Sequence, residues 1–403
     1  MALRLFDKIT PDGTRDRLFG ECRLLHAAAA RLRALYESRG FGEVITPTLE
    51  FYDVFANRGG YFSQQSMYKL TDTSGRLLVL RPDCTVPIAR LMATRLKDAV
   101  RPVRLFYHQN IYRVSKNLGE RMDEINQMGL ELVGAAGADS DLEIIALAAS
   151  SLKACDISDF RIEICHIGYF KALIRSLEAD AEAGERIREM VERKNFPALV
   201  DDLEHYGQKP AALALRSLPA LFGCEEVIEK ARSLFCDDSA SAALDALGFL
   251  YAGLQKLGLS EYIMLDLGIV GDADYYTGPV FRAYLPGTGE PVLTGGRYDG
   301  LMGLFGENLP SVGFGINMDL LCRHFADGLA TSRREKCLVF ASDGDAAAAI
   351  RYIEQNAGEG LMLELSACPD EADSLRYACE MGFDRLIRLE GGRPSGQQEV
   401  PKP

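Results

Sequence analysis

A chain of 403 residues, 47% of them hydrophobic, can bury a large core and has room for two or three domains of ~150 residues. A formal net charge of −13 argues against a broad nucleic-acid surface, which needs clustered Lys and Arg, and no run of ~18 or more uncharged apolar residues marks a membrane span. Five scattered histidines and ten cysteines without a Cys-x-x-Cys pair argue against a zinc site and a disulfide framework.

The N-terminus has no signal-peptide core, so a soluble, cytoplasmic protein with reduced thiols is expected, several of them (Cys22, Cys155, Cys322, Cys379) within apolar patterns. Pro11-Asp12-Gly13-Thr14 is a turn. Leu18, Cys22, Leu25, Ala29, Leu32 and Tyr36 then recur every three or four residues, an amphipathic helix that stops at Gly40. A strand over residues 41–47 ends in Pro47, and helix and strand together suit either α/β packing or a dimer interface. Residues 67–70 and 77–80 flank a polar turn and read as a hairpin leading to Arg81-Pro82-Asp83-Cys84-Thr85, with a helix over 87–97. Asp83 and Thr85, two apart at a strand end, share a face on this reading. They can hold a cationic amine, or they can cap the helix that comes next.

A strand over 104–114 carries Arg113, a polar loop spans 116–121, and a strand over 125–133 carries Gln127 and Glu131 on one face. An inward Glu131 needs a partner, either a ligand or an ion-pairing Arg113. A helix over 141–154 is followed by a strand alternating through Phe160, Ile162, Ile164 and His166, where His166 reads as a wall residue. Between residues 168 and 260 the period is helical throughout, which suggests an insertion between two strands of one sheet.

Residues 266–298 read as antiparallel strands beside a pocket: apolar residues alternate at Ile263, Leu265, Leu267 and Ile269, Tyr275 and Tyr276 are adjacent, and Pro286-Gly287 marks a turn. A strand over 312–316 runs into a helix over 317–322. From about residue 331 a β-α-β-α-β pattern gives a small α/β unit, and residues 391–403 read as a loose tail.

These pieces resemble, in order, the core of a class II aminoacyl-tRNA synthetase of the histidyl branch over about residues 5 to 330. The matching segments are Pro11-Asp12-Gly13-Thr14, the helix, strand and proline ending at Pro47 (motif 1), Arg81-Pro82-Asp83-Cys84-Thr85, and Tyr112-Arg113 with Gln127-Met128-Gly129-Leu130-Glu131 (motif 2). Asp274-Tyr275-Tyr276-Thr277-Gly278, Gly295-Gly296-Arg297-Tyr298-Asp299 and Gly313-Phe314-Gly315 (motif 3) complete the set. The resemblance implies an α+β fold: an antiparallel sheet flanked by helices, with the helical insertion (168–260) in a core of 1–330 and a small C-terminal α/β domain over 331–403. It also implies a histidine pocket made of Asp83, a shortened form of the usual glutamate, with Thr85, Arg113, Gln127, Glu131, Tyr275 and Tyr276.

Departures from the synthetase pattern gather on the ATP side. Asp319-Leu320 stands where the family has a glutamate followed by an arginine, Gly271 stands in place of an arginine near the tyrosine motif, and Arg113-Val114-Ser115 replaces Arg-x-Glu. Adenylyl transfer needs positive charge fixed around the triphosphate, so its loss is expected while the amino-acid pocket is kept.

That combination is similar to the regulatory-subunit family of ATP phosphoribosyltransferase. The likeness implies a non-catalytic chain without metal or cofactor, dimeric within a hetero-oligomer. It also implies partnership with the short-form catalytic subunit in histidine biosynthesis, histidine as feedback effector, and no contact with tRNA or membrane. An active histidyl-tRNA synthetase and a stand-alone histidine sensor are the alternatives.

Overall fold

A computed structural model of the chain describes residues 7–56, 64–114, 122–271, 276–325, 334–358 and 360–401. The chain divides into two compact units, Met1–Ala326 and Asp327–Pro403.

In the first unit α1 (Gly20–Ser38) buries Ala28, Ala29, Leu32 and Tyr36 along one stripe. It ends where Gly40 takes a φ of +79°, a conformation costly to any residue with a Cβ. β1 (Gly42–Glu43) is short, and β2 (Leu49–Phe51), α2 (Asp53–Ala56), β3 (Lys69–Thr71) and β4 (Leu77–Leu80) come after it. β2, β4 and β3 form a separate three-stranded antiparallel sheet. One of its faces carries Glu50 and Val79, both buried, with Glu50 bonded to Arg90 of α3 (Thr85–Thr94). The opposite face is apolar: Phe51, Leu78 and Leu70 lie in one row and Leu49 and Leu80 in the next, with Leu49, Phe51 and Leu70 exposed.

β5 (Val103–Tyr112) and β6 (Glu124–Val133) make a long hairpin in which Leu105 faces Glu131, Tyr107 faces Gly129 and Gln109 faces Gln127. α4 (Ala138–Ala154) and β7 (Arg161–His166) come next. Between residues 167 and 260 lie α5 (Ile167–Leu177), α6 (Ala181–Glu192), α7 (Phe196–Asp202), α8 (Pro210–Arg216), the two-residue β8 (Phe222–Gly223), α9 (Glu226–Leu234) and α10 (Asp238–Lys256). The core resumes with β9 (Ile263–Asp266), β10 (Pro279–Tyr284), β11 (Leu293–Arg297), β12 (Ser311–Asn317) and α11 (Met318–His324).

The central sheet runs β1-β5-β6-β12-β11-β10-β7-β9-β8. It is antiparallel except for β1 with β5 and β7 with β9. Both exceptions are pairs joined by long crossovers, and the helical insertion is the second of these. β9 stops at Asp266 because its Oδ1 accepts the N–H of Gly268 (2.8 Å) and turns the chain, so the alternation expected to run on to Ile269 leaves the sheet early. β9 is moreover separated from β10 by β7, so only β10 and β11 form the antiparallel pair expected over 266–298.

One face of the sheet, with Met128, Leu130, Phe314 and Ile316, packs on Tyr36 of α1 and on Ile144, Ile145 and Ala148 of α4. Leu105, Tyr107 and Tyr298 belong instead to a second apolar cluster with Ile88 and Met92 of α3.

The second unit contains β13 (Glu335–Ala341), α12 (Ala346–Asn356), β14 (Leu361–Leu365), α13 (Glu371–Glu380), β15 (Arg385–Glu390) and β16 (Arg393–Glu399). Its sheet order is β14-β13-β15-β16, with the first two pairings parallel. The tail expected to be loose forms β16, antiparallel to β15, through a turn in which Gly391 and Gly392 both have positive φ. Backbone pairing along an open sheet edge suffices to order a polar segment with no apolar pattern of its own.

None of the ten cysteines is in a disulfide; Cys84, Cys155, Cys165 and Cys337 are buried, whereas Cys224 and Cys236 are exposed. Among the described residues no group of His, Cys, Asp and Glu is placed to hold a metal, and no helix is long and apolar enough to cross a membrane.

Candidate functional site

The site is organised by the alternation of three central strands. Glu131 of β6, Gly313 of β12 and Gly296 of β11 stand in one row across the sheet, and Gly129 and Gly315 pair in a neighbouring row on the same face. Four glycines thus form a floor on which side chains from surrounding elements lie. A Cβ on Gly313 would sit 1.8 Å from Glu131 Oε2, one on Gly315 would sit 2.6 Å from Gln127 Nε2, and one on Gly129 would sit 2.5 Å from the Tyr107 hydroxyl. On the far side the ring of Tyr276 covers Gly296, where a Cβ would meet ring carbon Cε1 at 2.6 Å.

Glu131 is the centre of the group and is only 1% exposed. Thr85 Oγ1 donates to its Oε1 at 2.7 Å, and the hydroxyl of Tyr298 donates to Oε2. No lysine, arginine or histidine among the described residues pairs with it. Burial pushes its carboxyl up to about 8; the two hydroxyls oppose that rise, and the charge of nearby Asp83 adds to it. Asp83 is buried too, and burial raises its carboxyl against the pull of Arg113 and of the Val86 N–H.

Asp83 and Thr85 reach this place by a different route from the one expected. β4 ends at Leu80, so strand alternation does not align them. Asp83 lies just before α3 and its Oδ1 accepts the Val86 N–H at 2.8 Å, which caps the helix, while Thr85 is the first helical residue and turns toward Glu131. The capping reading of Asp83 holds, and the same residue places a second buried carboxylate near Glu131.

Arg113 follows β5 at the surface, donates Nε to the carbonyl of Pro82 (2.7 Å) and acts electrostatically on Asp83 rather than pairing with Glu131. Gln127 accepts from the Tyr107 hydroxyl at 3.2 Å. Tyr276 packs against both apolar clusters. Tyr275 lies outside the described residues, as does Ser115. Asp83, Thr85, Gln127, Glu131 and Tyr276 thus border the same sheet face, with Arg113 at its edge.

Two residues outside the expected set belong to it. Tyr107 and Tyr298 supply hydroxyls to Gln127 and Glu131, and their sequence signal is slight: Tyr107 sits in an ordinary strand pattern and Tyr298 follows a glycine pair. Its neighbour Arg297 has a structural task. It bonds Asp141 Oδ1 (2.7 Å), Ser140 Oγ (2.7 Å) and the carbonyls of Ala135 and Gly137, which fixes β11 to the start of α4. His166 is the wall residue expected: its Nδ1 accepts the Gly168 N–H at 3.1 Å and caps α5, and burial pushes it down to about 4, leaving a neutral ring.

On the opposite face Asp319 accepts both Nε and Nη2 of Arg17 at 3.0 Å and the Asn126 N–H at 3.1 Å. Leu320 beside it packs on the main core.

A family profile described as Histidyl-tRNA synthetase matches residues 13–321. The ATP phosphoribosyltransferase regulatory subunit of Clostridium kluyveri is 40% identical over 376 residues, covering 92% of this chain and 96% of that protein. The protein of the same name from Clostridium acetobutylicum is 37% identical, covering 96% of each chain. Among solved structures, an ATP phosphoribosyltransferase regulatory subunit/histidyl-tRNA synthetase from Bacillus halodurans C superposes with a TM-score of 0.83 at 31% identity, over 96% of this chain and the whole of that one. Histidyl-tRNA synthetase from Nostoc sp. PCC 7120, at 22% identity and a TM-score of 0.76 over 96% of this chain and 92% of that one, shares the fold. The chain therefore belongs to the ATP phosphoribosyltransferase regulatory-subunit family, on the class II synthetase-like core of the histidyl-tRNA synthetases.

Proposed function

We propose that this chain is a non-catalytic regulatory subunit that binds histidine over the glycine floor and, with short-form ATP phosphoribosyltransferase catalytic subunits, supports the first step of histidine biosynthesis and its feedback inhibition. One observation carries the reading: Glu131, wholly buried and bonded only to hydroxyls among the described residues, stands beside a second buried carboxylate, Asp83. Two adjacent buried acids, with Arg113 acting on Asp83 from the rim and no cation bonded to Glu131 among the described residues, favour a ligand that brings positive charge with several N–H donors. The α-ammonium and imidazole of histidine meet that requirement. Tyr276 then faces the ring, with Tyr275 the second tyrosine of the proposed set, Gln127 offers an amide, and Arg113 at the rim is available for the ligand carboxylate.

The ATP side supports loss of adenylation. Leu320 is aliphatic and packed inward, Asp319 is engaged by Arg17, and Gly271 brings no side chain where the synthetase pattern has an arginine. Preorganised cations around the triphosphate are hard to replace singly.

The apolar face of the small sheet, with Leu49, Phe51 and Leu70 exposed just after the Pro47 segment, supports a homodimer in that region within the hetero-oligomer. We place the assembly in the cytoplasm, without tRNA or membrane contact.

Calorimetric titration of histidine into the full chain, alone and co-expressed with a short-form catalytic subunit, tests the reading. Histidine-dependent heat, co-elution and inhibition of the complex are expected; no binding and no co-elution would overturn it. Histidine-dependent ATP–pyrophosphate exchange by the chain alone would establish a synthetase instead.

A further inference from the structure

The helical insertion touches the tyrosine segment at both ends. Arg188 of α6 donates Nη1 to the carbonyl of Gly271 at 2.7 Å, and Lys171 of α5 donates Nζ to the carbonyl of Tyr276 at 2.8 Å. These carbonyls bracket the stretch that carries the tyrosine pair.

Arg188 is preset for this role. Glu185, one turn earlier, holds its Nε and Nη2 at 2.8 and 2.6 Å, so the guanidinium has little freedom left to lose. Gly271 has a φ of +78°, a backbone that residues with a side chain rarely adopt. The position that lost an arginine on the ATP side thus presents its main-chain carbonyl to an arginine from the insertion.

α6 is also tied to the sheet beyond this point. Its last residue, Glu192, pairs with Arg282 of β10 at 2.5 Å, both 14% exposed, and Lys194 lies 3.6 Å from the buried Asp266. On the core side the adjoining residues are fixed by β11 and the turn after it: Thr277 N–H bonds the Arg297 carbonyl (2.8 Å) and Asp299 N–H bonds Thr277 Oγ1 (3.0 Å), while Ile167 N–H, the first of α5, bonds the Gly278 carbonyl (3.1 Å) from the insertion side. The insertion therefore bonds Gly271, Tyr276 and Gly278, and the strand that carries Gly296 of the floor bonds the intervening Thr277.

We propose that Arg188 and Lys171 are positioning residues that couple the helical insertion to the effector pocket, so that histidine held beside Tyr276 and α6 docked on Gly271 stabilise one another. The coupling rests on the reading that this site binds histidine. By linkage the effect is reciprocal: whatever favours the docked insertion tightens the ligand, and the ligand tightens the docking of the insertion. The regulatory signal leaves the pocket through main-chain carbonyls, a route that needs no side chain at position 271.

The test combines amide hydrogen exchange and calorimetry on the full-length chain. Without ligand, Arg188→Ala is expected to speed exchange in peptides covering 264–271 and 276–284 by roughly tenfold, the scale of one charge-assisted hydrogen bond. With ligand, wild-type protein should gain protection in α6; Arg188→Ala should lose that protection and bind histidine roughly tenfold more weakly, and Arg188→Lys should recover part of both. Lys171→Met, altered at an exposed side chain, should show the same pattern at smaller amplitude and serves if Arg188→Ala does not fold. Wild-type affinity and exchange in both variants would overturn the coupling while leaving the pocket reading intact. A wild-type chain that binds no histidine would overturn the pocket reading, and with it the coupling, whereas the ligand-free exchange still decides whether the clasp exists.

Discussion

Glu131 concentrates the chemistry of the site at the scale of one residue. Its carboxyl, pushed up to about 8, keeps its proton in the folded chain between the ordinary value of 4.5 and about 8, where the unfolded chain has released it. The folded state binds more protons across that window, so Glu131 makes stability fall as pH rises from 4.5 to 8, by at most about 1.4 kcal/mol per pH unit. Urea denaturation at several pH values should show this slope in wild-type protein and a flatter profile in Glu131→Gln. A cationic ligand calls for the ionised form, so histidine binding below about pH 8 should release protons, read as a dependence of the calorimetric enthalpy on buffer ionisation. Glu131→Gln should weaken that binding by ~2 kcal/mol or more. Asp83 divides its two tasks between two variants: Asp83→Asn keeps a cap for α3 and loses affinity, whereas Asp83→Ala also costs about 1 kcal/mol of stability. Equal affinity of Asp83→Asn and wild type in calorimetry would remove Asp83 from the charge recognition.

The central strands decide the pocket's shape at the scale of elements. Gly313-x-Gly315 is legible in the chain as a period-two pair, and so is the pairing of Gln127 with Glu131 on one face of β6. That these glycines meet Gly129 and Gly296 on the same face is not, because it depends on the register of β6, β12 and β11. Gly313→Ala places a methyl against Glu131 and 2.4 Å from the Leu130 carbonyl, backbone that cannot rotate away. It should destabilise the chain by ~2–3 kcal/mol in urea denaturation and abolish histidine binding. Gly287→Ala, at a turn where a Cβ meets nothing within 4 Å, should leave binding unchanged and lose only the stability that its φ of +74° costs a residue with a side chain.

The whole molecule comprises two compact units, and every described residue of the site lies in the first, which ends at Ala326. A chain truncated after that residue is expected to unfold cooperatively and to bind histidine with the affinity of the full chain. Loss of binding in a truncated chain with a sharp thermal transition would show that residues beyond 326 contribute to the pocket. The formal net charge of −13 acts at the same scale, through the field of the whole surface and without bearing on the fold.

Local order in the sequence marked most of the elements and named the candidates for the site. Period 3.6 marked the helices, period 2 the hairpin of β5 and β6, and the order of motifs singled out Asp83, Thr85, Arg113, Gln127, Glu131, Tyr275 and Tyr276. Those signals are carried by residues a few positions apart, whose spacing fixes which face each occupies. What the tertiary structure alone decided is what those residues touch. Tyr298 reaches Glu131 across 167 positions, Arg188 reaches Gly271 across 83, and Asp83 arrives as a helix cap instead of a strand residue. The burial that raises the Glu131 carboxyl also comes from distant elements closing over it. Contacts of this kind depend on strand register and helix docking, which no local spacing encodes, because each rests on the summed packing of segments far apart in the chain.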